Sequence, residues 1–170
     1  MLTVYVRNHV RSSPLCLVDA LTISLRMSYT INAKVYQSNQ NAFFRIVEKT
    51  VWNYANGGTW DETDGSQLIT MGGSGTSGSL RFLADTGENF IITLGVHNNK
   101  RWGDIVTNLT NSETGVIINP QYYNDKYPDR QAQREKQLIT YSVKNNKGRT
   151  FLFKYTVTDG NNLKVDIFIG

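Results

Sequence analysis

Two glycine-rich stretches beside large aromatic residues are the part of the chain best suited to hold a ligand. Trp52–Trp60 has the sequence WNYANGGTW, and Gly72–Gly78 has the sequence GGSGTSG. Glycine and serine leave main-chain N–H and C=O groups open to a close approach, and indole rings offer an apolar face. A neutral ligand rich in hydroxyl groups fits such a surface. The pattern therefore favours binding over catalysis.

A third polar segment, Gly95–Asn98, ends a predicted strand in two side chains that form hydrogen bonds. We expect it to converge with Ala55–Gly58 and Gly72–Gly78, so that the three segments form one pocket. His97 alternates with Val96, so its imidazole should point away from the core if Val96 faces the core. The simpler alternatives are a flexible hairpin loop at Gly72–Gly78 and a solvent-exposed histidine at a strand end.

The residues that enzymes and metal sites require do not come together in the sequence. Histidine occurs twice, as His9 and His97, and the single cysteine is Cys16, so no nucleophile and base are paired. Neither histidine has a second zinc ligand at a suitable spacing. Asp61–Gly65 lacks most of the oxygen ligands of a calcium loop, and Gly72–Gly78 lacks the Lys-Ser/Thr pair of a phosphate-binding loop. We therefore expect no enzymatic activity, no metal and no cofactor.

Composition points to one globular domain. The chain has 170 residues, of which 39% are hydrophobic and 11% aromatic, enough for a real core. The formal charge of +4 is dispersed, and the local basic peak at Arg130, Arg134 and Lys136 is interrupted by acidic residues. This charge pattern does not indicate a nucleic-acid-binding surface. No apolar run approaches the roughly 20 residues that would span a bilayer.

Residues 1–27 do not share the periodicity of the rest of the chain. Asp19 interrupts the apolar stretch of this segment, and no small-residue cleavage pattern follows it, so a secretory signal is not indicated. A single cysteine also favours a reducing compartment, and we expect a cytoplasmic protein. Our hypothesis is that residues 1–27 are a dispensable extension and that the folded domain is 28–170.

Period-two alternation from Tyr29 onward predicts a protein built of short antiparallel strands packed as a β-sandwich. The alternating runs are Tyr29–Tyr36, Phe43–Trp52, Gln67–Met71, Leu80–Ala84, Phe90–Val96, Leu138–Val143, Phe151–Val157 and Leu163–Ile169. Turn residues at 145–148 and 158–162 join the last three runs, which predicts a C-terminal meander.

Residues 103–136 interrupt the strand pattern and predict two helical pieces joined by a loop. Gly103–Leu109 is suited to begin a short helix, in which the simplest role of Asp104 is to interact with the helix dipole. Asn119-Pro120 is a plausible start for a second helical turn over Gln121–Tyr123. Tryptophan at positions 52, 60 and 102 is more often a core residue than a sugar platform.

Several motifs together resemble the fungal fruit-body lectins. They are WNYANGGTW, TMGGSGTSGSLRF, GVHNNKRWGDIVTNLT, INPQYY, REKQL and TVTDGNNLK, in order and nearly without gaps over residues 28–170. The resemblance implies an all-β fold with a small helical insert: two antiparallel sheets joined by a helix-loop-helix, similar to actinoporin toxins. It also implies a homotetramer without enzymatic activity that is cytoplasmic, metal-independent and acts in defence against animal grazers.

The resemblance further implies two sugar sites in each subunit. The first would bind the T-antigen disaccharide, galactose-β1,3-N-acetylgalactosamine, with donors from His97 and Asn98, and the second would bind N-acetylglucosamine. The residues carried over to the first site are Ala55, Ser74, Gly75, His97 and Asn98. Those carried over to the second are Asp104, Ile105, Val106, Thr107, Asn108, Arg130 and Tyr141.

This chain departs from the family pattern at a few positions. Asn99 and Gly103 stand where relatives usually carry tyrosine and cysteine. If the register of the segment before REKQL differs, Arg134 replaces Arg130 in the second site. A membrane-active cytolysin of the actinoporin kind is the alternative function. Such a protein needs an amphipathic N-terminal helix, and residues 1–27 show no clear helical moment.

Overall fold

The computed structural model describes residues 28–52 and 57–170. The strands are β1 Tyr29–Gln37, β2 Phe44–Trp52, β3 Gly58–Thr63, β4 Ser66–Met71, β5 Thr76–Ala84, β6 Asn89–His97, β7 Lys100–Thr107, β8 Thr140–Lys144, β9 Thr150–Val157 and β10 Asn162–Ile169. Between β7 and β8 lie helix α1 Gly115–Ile118, a 3-10 helix Asn119–Tyr123 and helix α2 Pro128–Glu135. We call residues 115–135 the helical segment.

The strands form two sheets that pack as the predicted sandwich. One sheet has six strands in the order β3-β4-β1-β10-β9-β8, and the other has four in the order β2-β5-β6-β7. The pairing of β10 with β9 and of β9 with β8 confirms the C-terminal meander. One pairing is not antiparallel, because β1 runs parallel to β10 and joins the two ends of the domain.

The core lies between the two sheets and follows from the alternation in the sequence. In β1, Tyr29, Ile31 and Ala33 are buried at 3% exposure or less, whereas the residues between them face outward. One end of the core is filled by Phe44, Phe82 and Phe90. Phe44 contacts Phe90 in a T-shaped arrangement, and Phe82 stacks on Phe90. Burial of this apolar surface is the main driving force for the fold.

Three strands differ from the sequence-based prediction. Gly103–Leu109 does not begin a helix, because Lys100–Thr107 forms β7 at the edge of the four-stranded sheet. Both faces of β7 are covered around Trp102–Ile105, so buried residues follow one another and hide the period of two. The strand β3 was missed, and β5 begins at Thr76, inside the Gly72–Gly78 run.

The helical segment covers the outer face of the four-stranded sheet. Ile91, Trp102, Leu109, Ile118 and Tyr122 form a second, smaller apolar cluster between the sheet and the helices. The 3-10 helix has Pro120 in its first turn, as the Asn119-Pro120 motif predicts. In the described ranges, no helix is long and apolar enough to cross a membrane.

A buried ion pair closes the end of the sandwich where the β5–β6 turn meets the β8–β9 turn. Glu88 accepts hydrogen bonds from Arg149 at 2.7 and 3.1 Å and from Asn145 at 2.8 Å. The bond from Arg149 outweighs burial and lowers the pKa of Glu88 from 4.5 to about 2. The charged carboxylate is therefore a constraint that ties the two sheets together.

We expect Glu88→Gln to lower the free energy of unfolding at pH 7 by on the order of 3 kcal/mol. Because the folded-state pKa of Glu88 is depressed, its stabilisation is complete above about pH 4.5 and is lost as the pH falls toward 2. Urea unfolding at pH 7 and pH 3 measures this, and the variant should lose less stability between these pH values than the wild type. Asp159→Asn, in the exposed β9–β10 turn, is the control. An equal pH dependence in wild type and Glu88→Gln contradicts the role of this carboxylate.

Candidate functional site

Three loops meet at one end of the sandwich, as the sequence predicts. The Gly72 amide donates to the Gly57 carbonyl at 2.9 Å, and the Gly75 amide donates to the Val96 carbonyl at 2.7 Å. The Asn99 amide donates to the Ser74 hydroxyl at 3.0 Å. Ala55 lies outside the described residues. The structure thus brings Ser74, Gly75 and the β6–β7 turn together.

Backbone conformation explains why small residues occupy this end. Gly75 has φ +96°, a region in which a side chain would be strained. Asn98 and Asn99 form the two-residue connection between β6 and β7, with φ +51° and +60°. Asparagine tolerates this left-handed conformation, which two-residue hairpin turns require. Asn98 remains exposed and available to a ligand.

Asn99 fixes the β6–β7 turn through two hydrogen bonds. Its side-chain carbonyl accepts a hydrogen bond from the Tyr29 hydroxyl at 2.9 Å, and its amide binds Ser74. Because the Ser74 hydroxyl accepts from Asn99, its own proton is left to donate to another group. The loop is therefore pre-organised by contacts from β1 and from the Gly72–Gly78 segment.

His97 points away from the sandwich core, as predicted, and contacts the helical segment. Its Nε2 atom lies 2.9 Å from a Glu135 carboxylate oxygen, and its carbonyl accepts from the Gln137 side chain at 3.0 Å. Burial, and after it the positive charge of Arg134, lowers the pKa of His97. These effects outweigh the Glu135 carboxylate, which by itself would raise the pKa. The imidazole is therefore neutral at pH 7.

A second candidate site lies between the edge strand β7, helix α2 and β8. It is a pocket of about 350 Å³ lined by Asp104, Ile105, Asp129, Arg130, Ala132, Gln133, Lys136 and Tyr141. Four of the seven residues assigned to the second sugar site line it, namely Asp104, Ile105, Arg130 and Tyr141. Segments that lie far apart in the sequence thus share one pocket.

Asp104 is a buried strand residue, so the expectation that it interacts with a helix dipole is wrong. It is 2% exposed. One carboxylate oxygen accepts from the Tyr122 hydroxyl at 2.7 Å and from Arg130 at 2.9 Å, and the other accepts from the Ile105 amide at 2.8 Å. Burial is the main cause of a strongly raised pKa at Tyr122, followed by the Asp104 charge, so Tyr122 stays protonated and donates.

The structure brings Arg130, and not the alternative Arg134, next to Asp104. The Arg134 side chain instead binds Glu135 and lies over the Tyr123 ring, at 5.1 Å from its centroid. Tyr141 lies near the Asp104–Arg130 pair. Burial and, to a smaller degree, the Asp104 charge raise its pKa, so its hydroxyl is a donor at neutral pH.

The other three residues assigned to the second site continue along and beyond β7. Val106 packs against the small apolar cluster under the helical segment. Thr107 accepts a hydrogen bond from the Asn108 side chain at 3.3 Å. Asn108 lines a separate pocket of about 170 Å³ and accepts from the Asn146 amide at 2.9 Å. The structure therefore does not place Asn108 in the Asp104 pocket.

Tryptophan contributes mainly to packing, as its usual role predicts. Trp102 is fully buried, and the Trp60 indole N–H donates to the Thr50 carbonyl at 2.9 Å. Trp52 is half-buried and stacks on Tyr123 with ring centroids 6.4 Å apart. Trp52 also lines a pocket that includes Pro120 and Tyr123.

Sequence reasoning missed the residues that hold the candidate groups in place. They are Tyr122 at Asp104, Glu135 at the His97 side chain and Gln137 at the His97 carbonyl. Nothing in the local sequence signals these contacts, because each partner lies 18 or more residues away. In residues 28–52 and 57–170, no group of three or more His, Cys, Asp or Glu residues is arranged to hold a metal.

Comparison with known proteins gives consistent results. Residues 27–167 match the family model described as fungal fruit body lectin. Boletus edulis lectin, from Boletus edulis, is 54% identical over 142 residues, which are 83% of this chain and 98% of that protein. The wild-type crystal structure of Xerocomus chrysenteron lectin is 50% identical, with a TM-score of 0.81 over 85% of this chain and all of the other. A variant of the same Xerocomus lectin gives a TM-score of 0.82 at the same identity, over 85% of this chain and 99% of that one.

We expect Tyr122→Phe to lower the free energy of unfolding by about 1.5–3 kcal/mol, because it removes a buried hydrogen bond to a carboxylate. Chemical denaturation at pH 7 measures the change. Tyr127→Phe is the matched control, since Tyr127 is 43% exposed. A loss for Tyr122→Phe of no more than roughly 0.5 kcal/mol, the range of ordinary surface substitutions, contradicts a structural role for this bond.

Proposed function

The chain belongs to the fungal fruit body lectin family, and on this premise we propose that it has two sugar sites of different specificity. The function common to the family is carbohydrate binding. The proposed first site, at Ser74, Gly75, His97 and Asn98 with Ala55, takes galactose-β1,3-N-acetylgalactosamine. The proposed second site, in the pocket at Asp104, takes N-acetylglucosamine.

The convergence of three loops is the observation that carries the first site. Ser74, Gly75 and Asn98 lie in segments joined by direct hydrogen bonds, and a positive φ keeps Gly75 free of a side chain. A disaccharide would meet fixed main-chain groups and short polar side chains there. Little ordering is needed on binding, because Asn99 and Tyr29 already hold the turn.

Charge and shape support the second site. Arg130 has 28% of its side chain exposed and is bound to a nearly buried Asp104, so the guanidinium stays in place while part of it faces the pocket. The Asp104 side chain is 3% exposed. It therefore acts on a ligand mainly by holding Arg130. Tyr141 adds a hydroxyl donor and ring surface, and a volume near 350 Å³ is at the small end of ligand pockets, as a monosaccharide requires.

The wider proposal follows the resemblance to the family. The protein is a cytoplasmic, metal-independent binder without enzymatic activity, it assembles as a homotetramer, and it defends against animal grazers. Residues 28–170 form the sugar-binding domain, and residues 1–27 are a dispensable extension. Support for the absence of catalysis comes from the relatives, which are lectins.

Two substitutions separate the two sites. Asn98→Gly keeps the left-handed turn and removes the side chain, so disaccharide affinity should fall by about 0.5–1.5 kcal/mol. Arg130→Ala removes a charged donor, so N-acetylglucosamine affinity should fall by about 1.5–3 kcal/mol. Isothermal calorimetry with each sugar measures both effects.

Asn98→Gly should leave the affinity for N-acetylglucosamine unchanged, and Arg130→Ala should leave the affinity for the disaccharide unchanged. Lys126→Ala, which removes one exposed positive charge from the α2 side of the molecule, is the control for Arg130→Ala. Thermal unfolding of each variant separates a lost contact from a lost fold. Equal weakening of both sugars by either substitution contradicts the two-site assignment, and absence of binding by the wild type contradicts the function itself.

Dye leakage from sugar-free vesicles tests the alternative of a membrane-active cytolysin. We expect the vesicles to stay intact at protein concentrations that saturate the sugar sites, because binding should depend on carbohydrate alone. The same vesicles carrying a glycolipid that ends in the disaccharide provide the positive control for binding, measured by co-sedimentation. Leakage from sugar-free vesicles contradicts the proposal.

A further inference from the structure

We propose that Glu135 is a positioning residue of the first sugar site, because it orients the His97 imidazole so that Nδ1 faces the ligand as a hydrogen-bond acceptor. This inference rests on the proposed function. It differs from the role implied by the family resemblance, in which His97 is a donor. It also extends the site to the last residue of helix α2.

The contact between His97 and Glu135 determines which ring nitrogen carries the proton. The His97 Nε2 atom lies 2.9 Å from Oε1 of Glu135, and an ionised carboxylate only accepts hydrogen bonds. Nε2 must therefore carry the proton. A neutral imidazole has one donor and one acceptor, so Nδ1 is left as the acceptor. The lowered pKa of His97, caused first by burial and then by Arg134, supports a neutral ring.

Glu135 is held in place by the end of the helix. The neighbouring Arg134 donates to the same Oε1 atom from Nε at 3.1 Å and from Nη2 at 2.7 Å. Arg134 is itself packed over the Tyr123 ring, with 12% of its side chain exposed. Although Glu135 is half exposed, the oxygen that faces His97 is fixed by this packed guanidinium.

A second contact from the same helix end fixes the main chain of His97. The Gln137 side chain donates to the His97 carbonyl at 3.0 Å. The last residue of helix α2 and Gln137, two residues beyond it, therefore hold both the ring and the backbone of His97. A ring held in this way can accept a hydrogen bond from a sugar hydroxyl at Nδ1, whereas an acceptor-only group such as a methoxy oxygen would be rejected.

The test compares Glu135→Ala and Glu135→Gln with Asp159→Ala, which removes one carboxylate from an exposed turn. Nitrogen-15 NMR of the full chain reports the His97 tautomer, and His97→Gln identifies its signals. Wild type should show the Nε2-protonated form. In Glu135→Ala we expect a mixture of tautomers and about fivefold to tenfold weaker binding of galactose-β1,3-N-acetylgalactosamine, the effect of one neutral hydrogen bond. Binding of N-acetylglucosamine should not change.

Glu135→Gln should retain most of the affinity, because its amide oxygen still accepts from Nε2. This rescue separates positioning from a general effect of charge. An unchanged tautomer together with disaccharide affinity within twofold of wild type in Glu135→Ala overturns the inference, and so does equal weakening of N-acetylglucosamine. If wild type binds no disaccharide, the proposed function fails, whereas the tautomer measurement still tests the role of Glu135.

Discussion

The buried carboxylate of Asp104 fixes how the helical segment lies on the four-stranded sheet. A charged group that is 2% exposed must have partners, and here they are Tyr122 from the 3-10 helix and Arg130 from helix α2. One strand residue thereby sets the positions of two helical elements. An apolar cluster around Trp102 would allow the segment to slide, whereas directional bonds to one carboxylate oxygen do not.

Helix α2 then connects the two candidate sites. Arg130, in its first turn, belongs to the pocket at Asp104, and Glu135, at its end, contacts His97 beside the other site. Eight residues of helix therefore carry positioning groups for both.

A second buried carboxylate, Glu88, stabilises one end of the sandwich and has no part in either candidate site. Glu88 and Arg149 pair where two hairpin turns meet, and each sheet contributes one partner. Asp104 and Glu88 are thus both nearly buried carboxylates that accept hydrogen bonds from an arginine. The two ion pairs differ in the space open to a ligand beside them. Arg130 borders a pocket of about 350 Å³, whereas Glu88 lies beside one of about 170 Å³.

The all-β character, the period of strands such as Tyr29–Gln37, the proline-started turn at Asn119 and the family can all be predicted from the amino-acid sequence. It misled at β7, because Trp102–Ile105 is covered on both faces and a doubly buried strand carries no alternation. The contacts of Arg130 with Asp104 and of Glu135 with His97 are set by how the helical segment packs on the sheet. Those pairs join segments 26 and 38 residues apart, and local periodicity carries no information about which side chains meet when separate elements pack.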